Sequence, residues 1–108
     1  MEMGPKTGEL ATLLDEMVSI LQSVGEDYWA KWLEKDLQRI RACDFRGVEH
    51  LIWAFGGMGG LFDLIIHPAN GHNLDIRDVE SINNRLIQLL DKASQLANAI
   101  RRDAEFMS

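Results

Sequence analysis

The C-terminal part of the chain has the most regular pattern of apolar side chains. They recur at alternating steps of three and four residues, which places them on one side of an α-helix. Asp75 or Asp78 can cap this helix, and a helix over residues 78–103 is about 39 Å long at about 1.5 Å per residue. Leu90 and Ala97 widen the stripe, so we expect it to pack across two other helices. The stripe consists of Val79, Ile82, Leu86, Leu89, Ala93, Leu96 and Ile100.

Two further helices are predicted in the first part of the chain. The first follows a flexible lead-in of residues 1–8 and ends at Gly25, because glycine readily takes the left-handed conformation after a last helical turn. Glu26 and Asp27 open the second helix, where their negative charge meets the positive end of the helix dipole. So short a connection predicts an antiparallel pair within one helical domain over residues 9–108. The apolar positions are Leu10, Leu13, Leu14, Met17, Val18, Leu21 and Val24, then Tyr28, Trp29, Trp32, Leu33, Leu37 and Ile40.

A glycine-rich segment ends a third, shorter helix. Asp44 is the expected cap of this helix, and the helical pattern stops at Phe55. Four of the five residues 56–60 are glycine, which does not comfortably continue a helix. The apolar run 61–66 fits either a helical turn or an extended segment, and a surface loop follows at 68–73. The sequence therefore predicts an all-α bundle of about four helices, with a glycine-rich turn and an irregular segment before a long C-terminal helix.

The charge of the chain favours some partners over others. Seventeen Asp and Glu oppose 11 Lys and Arg, which gives a net charge of −6. Such a surface repels phosphate backbones, so nucleic acid is not an expected partner, whereas a basic protein is. Acidity also serves solubility alone. We expect a cytoplasmic protein without a membrane partner, because no signal-peptide layout or long apolar stretch is present. The single cysteine, Cys43, is typical of a small core residue.

The motifs for catalysis or cofactor binding are incomplete. The glycine segment follows a helix and lacks the lysine of a phosphate loop. The three histidines, His50, His67 and His72, have no recognised zinc-ligand spacing. His67 and His72 do flank one loop, which leaves a small metal enzyme as a third hypothesis. Serine and carboxylate residues lack the arrangement of a nucleophile or an acid–base pair. We therefore expect no enzyme, no catalytic residue, no metal and no cofactor.

Four aromatic side chains fall on the second and third predicted helices: Tyr28, Trp29, Trp32 and Trp53. Trp29 and Trp32 are three residues apart and share one side of their helix. Such a cluster usually packs between two helices in a core. Its other interpretation is an exposed anchor for a protein partner, since Trp and Tyr often dominate interface energies.

Three segments together resemble a known family. They are residues 53–64, which contain a Phe-Gly-Gly-Met-Gly turn followed by an Asp-Leu pair, and residues 25–33 and 44–47. They resemble small bacterial helical proteins of uncharacterised function, over residues 10–66. This chain departs from them at Gly60, where those proteins have a Ser-like residue. Similar small acidic proteins serve as immunity proteins that neutralise toxins, and the resemblance implies that role here.

The leading functional hypothesis is a cytosolic immunity or antitoxin-type protein that binds and inhibits one cognate toxin or effector domain. Acidic side chains would steer the encounter. The alternative is a homodimeric adaptor or structural module that uses the C-terminal stripe as its seam. The expected partner-binding residues are Asp63, His67, Asn70 and His72, with Glu26 and Asp27 as electrostatic helpers.

Overall fold

The computed structural model describes residues 4–56 and 59–107, and every regular element in these ranges is helical. The all-α prediction is confirmed. Three short 3-10 turns lie between the third and fourth α-helices, at Leu61–Asp63, Pro68–Asn70 and Ile76–Asp78. None of the helices in the described ranges is both long enough and apolar enough to cross a membrane. The four α-helices are α1 (Pro5–Ser23), α2 (Asp27–Arg41), α3 (Arg46–Phe55) and α4 (Val79–Met107).

The four helices close into a bundle around one core. Helix α1 packs against α2 and α4, and α3 also contacts both α2 and α4. The apolar stripe of α4 is in this core: Leu86, Leu89 and Ala93 are buried, together with Leu90 and Ala97 that widen it. The stripe therefore packs across other helices of the same chain, as its width predicts. Its central side chains are already covered within one chain.

The first two helices end in the same way. Gly25 has a φ of 75°, and the Glu26 N–H donates to the Leu21 carbonyl at 2.8 Å, which closes α1 as predicted. Helix α2 ends at Arg41, and two residues later Cys43 has a φ of 58°, which is unusual for a residue with a side chain. The Asp44 N–H donates to the Arg39 carbonyl at 2.8 Å, so the hydrogen bonding of this end matches that of α1. In this position Cys43 is exposed, and the expectation of a core residue is wrong.

Residues at the helix starts explain where the helices begin. One predicted start, that of α1, is corrected by the structure. Helix α1 begins at Pro5, so residues 5–8, expected in the flexible lead-in, are helical. Proline suits a first helical position because its φ is already helical and its missing N–H would be unpaired there. As predicted, Asp44 accepts a backbone N–H at the start of α3, and Asp75 accepts one at the turn before α4.

The segment between α3 and α4 is fixed by a side chain of α4. Asn83 donates its amide to the Ile66 carbonyl at 2.8 Å and accepts the Ile66 N–H at 2.9 Å. Residues 61–66 are thus a 3-10 turn followed by extended backbone, held by an amide side chain in place of a neighbouring strand. Gly57 and Met58 of the predicted glycine-rich turn lie outside the described residues.

Candidate functional site

Helices α2 and α3 approach closely because α3 has a glycine at the contact. A Cβ atom on Gly47 would lie 2.8 Å from the Cβ of Arg39 and 2.9 Å from the backbone oxygen of Asp36. Real Cβ atoms do not come this close to their neighbours, so the packing of the two helices requires glycine here. One turn further along α3, this approach brings His50 against α2.

His50 is paired with a carboxylate that is completely buried. Asp36 has no exposed surface, and its Oδ1 is hydrogen-bonded to His50 Nδ1 at 2.5 Å. Burial raises the pKa of Asp36 to about 6, because the charged form is disfavoured away from water. The hydrogen bond from His50 and the charges of Arg39 and Lys35 act to lower the same pKa. The pair therefore holds a titratable group inside the helix interface.

Above this pair, five rings form a continuous band that we call the aromatic strip: Tyr28, Trp29, Trp32, His50 and Trp53. The His50 ring stacks on Trp32 with centroids 4.1 Å apart and an interplanar angle of 16°. The ring centroid of Trp29 lies 5.3 Å from that of Trp32 and 5.0 Å from that of Tyr28. The centroids of Trp53 and His50 are 6.5 Å apart. Tyr28 is 64% exposed and Trp53 is 76% exposed. The strip thus has a half-buried centre and two exposed ends.

Two buried polar atoms at the strip have no hydrogen-bond partner within the described ranges, namely Trp32 Nε1 and Asp36 Oδ2. Each such atom costs roughly 1–3 kcal/mol of folding free energy. Most proteins avoid this cost, and an unpaired buried group calls for an explanation beyond packing. Both atoms lie beneath the strip.

Each of the two interpretations of the aromatic side chains made from the sequence fits a different pair of rings. Trp29 and Trp32 are half-buried and pack against the core, as a core cluster would. Tyr28 and Trp53 face outward, as anchors for a partner would. The strip combines the two, because its inner rings fix the position of its outer ones on two packed helices.

The predicted residues Glu26, His67 and His72 are brought together at the start of α2. His72 is 8% exposed; its Nδ1 accepts the His67 N–H at 3.0 Å and its Nε2 donates to Glu26 Oε1 at 3.1 Å. The other oxygen of Glu26 accepts the Trp29 N–H and caps α2. Glu26 and His72 therefore tie the loop around residues 67–72 to the end of α2 that carries Tyr28.

The remaining predicted residues lie on the surface. Asp63 and Asn70 form hydrogen bonds with backbone groups a few residues away. Asp63 accepts the Gly59 N–H at 2.8 Å, and Asn70 donates its amide to the Ile65 carbonyl at 3.1 Å. Asp27 is exposed in the first turn of α2. His67 Nδ1 accepts the Ala69 N–H at 2.9 Å. No group of three His, Cys, Asp or Glu side chains that could hold a metal occurs among the residues described.

The Asp36–His50 pair is the part of the site that the sequence analysis missed. The signal was present, because Asp36 follows Leu33 by three residues and precedes Ile40 by four. That spacing places a carboxylate inside the apolar stripe of α2. A glycine within the short helix α3, at Gly47, was the second signal, since an interior helical glycine often marks a close approach.

A family model described as a domain of unknown function, DUF6966, matches residues 22–75, half of the chain. The chain belongs to this family. The DUF6966 segment contains α2, α3 and the loop, and with them the whole aromatic strip and both histidine–carboxylate pairs. Most of α1 and all of α4 lie outside it. No curated protein and no solved structure matches the chain.

Proposed function

We propose that this chain is a non-catalytic protein-binding module and that the aromatic strip is its binding surface. The observation that carries the proposal is the exposure of Trp53, 76%, at the end of a band of rings on two packed helices. Exposed aromatic side chains of this size are costly in water and are the residues that most often dominate interface energies. A surface already fixed in position also loses little conformational entropy when a partner binds.

Polar groups next to the strip suit the rim of an interface. The hydrogen bond between His72 and Glu26 holds the loop around residues 67–72 beside the start of α2. Asp27 and Tyr28 are exposed there. Asn70 is exposed on the same loop. Together with the net charge of −6, these groups favour a basic partner, because complementary charge speeds the encounter of two proteins.

The finer form of the proposal is that the partner is a toxin or effector domain, which the chain inhibits in the cytosol by covering it. The small size and the acidity of the chain support this form. A homodimeric module built on the α4 stripe has less support, because Leu86, Leu89 and Ala93 are already covered within one chain.

The test is affinity capture of the tagged protein from its native cytosol, read by mass spectrometry. We expect one stoichiometric partner to be captured by the wild type and lost with Trp53→Ala. The matched control is Ile87→Ala, which removes a 53% exposed apolar side chain from α4 and should leave capture unchanged.

The finer form has its own readout. If the captured partner arrests growth when expressed alone, co-expression of the wild type should restore growth and co-expression of Trp53→Ala should not. Capture that is equal for wild type and Trp53→Ala would overturn the strip as the binding surface. A partner without toxic activity would overturn the immunity role but not the binding role.

A further inference from the structure

His50 offers a hydrogen-bond acceptor in the middle of an apolar surface. When Asp36 is ionised its oxygens can only accept a hydrogen bond, so a neutral His50 has its proton on Nδ1 and a lone pair on Nε2. The His50 side chain is 27% exposed, so the ring is at the surface while Asp36 is beneath it. The buried carboxylate also polarises the ring and makes Nε2 a better acceptor. This nitrogen can accept a hydrogen bond from a bound partner.

The rings around this acceptor select for the kind of donor. Trp32 stacks on one face of the imidazole, and Trp53 lies 6.5 Å from it with most of its surface free. A guanidinium group is planar, donates N–H groups in a fixed fork and stacks on aromatic faces, especially on Trp. One such group can donate to His50 and lie over Trp53 at the same time.

Charged groups of both signs surround the strip. Glu49 is exposed one turn before Trp53, and α3 ends at Phe55, where the helix dipole is negative. The cations on these helices include Lys31, which is exposed on α2, and Arg46 on α3. Lys35 and Arg39 act on Asp36 from α2. Arg46 is held by the Asp44 carboxylate through three side-chain hydrogen bonds of 2.8–3.2 Å.

We propose that the aromatic strip binds an arginine side chain of the partner, with the guanidinium over the Trp53 ring and one N–H donated to His50 Nε2. This inference rests on the proposed binding function and names the chemistry of its partner. Asp36 is then a positioning residue, which fixes the orientation and the tautomer of His50 without touching the partner.

The experiment is an NMR titration of the full chain with acetyl-arginine amide, compared with acetyl-citrulline amide, which has the same shape without the charge. We expect saturable shifts of the Trp53 indole and of the His50 ring with the arginine compound and little change with the citrulline compound. Trp53→Leu should weaken binding about two- to fivefold, the usual size of an exposed cation–π contact.

A second variant tests the acceptor without leaving a buried charge unpaired. The double change Asp36→Asn and His50→Phe keeps a ring against Trp32 and removes the acceptor, and we expect it to abolish the saturable shifts. Ile87→Ala is the control and should bind as the wild type does. Equal binding of both compounds, or shifts away from the strip, would overturn the inference. Neither result affects the capture test, so failure of the arginine contact is distinguishable from failure of the binding function.

Discussion

Asp36 is a carboxyl group buried where its charge is poorly stabilised. Burial raises its pKa to about 6, and the hydrogen bond from His50 and the charges of Arg39 and Lys35 only partly oppose that effect. The folded chain therefore binds a proton at Asp36 more tightly than the unfolded chain does. Stability linked to this group is largest at low pH and is lost as the pH rises through the folded pKa.

We expect Asp36→Asn to alter how stability depends on pH. Asparagine has no charge to bury and still accepts the His50 N–H. The pKa of Asp36 is 3.8 in the unfolded reference and about 6 in the folded chain. The free energy of unfolding of the variant minus that of the wild type should therefore rise by about 2–3 kcal/mol between about pH 4 and about pH 7. Urea unfolding followed by circular dichroism at both pH values measures this difference.

Glu34→Gln, at an exposed position of the same helix, is the control for this experiment. It should change the free energy of unfolding by less than about 0.5 kcal/mol at either pH, as surface substitutions usually do. If the difference for Asp36→Asn instead falls as the pH rises, His50 stabilises an ionised Asp36, and the pKa of that carboxyl is lowered rather than raised.

At the scale of elements, the contact between α2 and α3 determines the site. Gly47 lets the two backbones approach, and this approach places His50 on Asp36 and Trp53 beside the rings of α2. The strip thus depends on the spacing of two helices as much as on its own side chains. A change that separates the helices should disturb it even where no ring is altered.

We expect Gly47→Ala to destabilise the fold. Its new methyl group would press on the Asp36 backbone oxygen and on Arg39 Cβ, and overpacking of this kind costs about 1–3 kcal/mol. The matched control is Gly8→Ala in α1, where nothing lies within 4 Å of the new Cβ. That change should stabilise the fold by up to about 1 kcal/mol through helix propensity. Opposite signs in urea unfolding support the close approach; stabilisation by both changes contradicts it.

Local chemistry accounts for the elements that could be predicted from the sequence. Gly25, Asp44 and Asp75 act within a few residues along the chain, so their roles at helix ends could be read from the sequence. The hydrogen bonds between Asn83 and Ile66 join residues 17 apart in the sequence, and the Asp36–His50 pair joins residues 14 apart. Such contacts depend on how helices pack, which periodicity does not specify. For this reason the helices were predicted and the centre of the site was not.

At the scale of the whole molecule, the aromatic strip lies within the family segment, and helices outside that segment pack against the two helices that carry the strip. Residues 22–75 contain the aromatic strip, but the apolar faces of α2 and α3 are covered by α1 and α4. The α4 stripe is therefore a requirement of the monomer fold. A substitution in the stripe can therefore distinguish a core position from a seam between two copies.

We expect Leu89→Glu to unfold the chain. Leu89 is 2% exposed, and a carboxylate at that position would be buried without a partner, at a cost of at least about 4 kcal/mol. That cost is comparable to the whole stability of a small domain, about 5–15 kcal/mol. Ile87→Glu is the matched control, because Ile87 is on the same helix and is 53% exposed. Circular dichroism should show lost helicity only for Leu89→Glu. If the stripe were a dimer seam instead, Leu89→Glu would keep its helicity and sedimentation would show a folded monomer in place of a dimer.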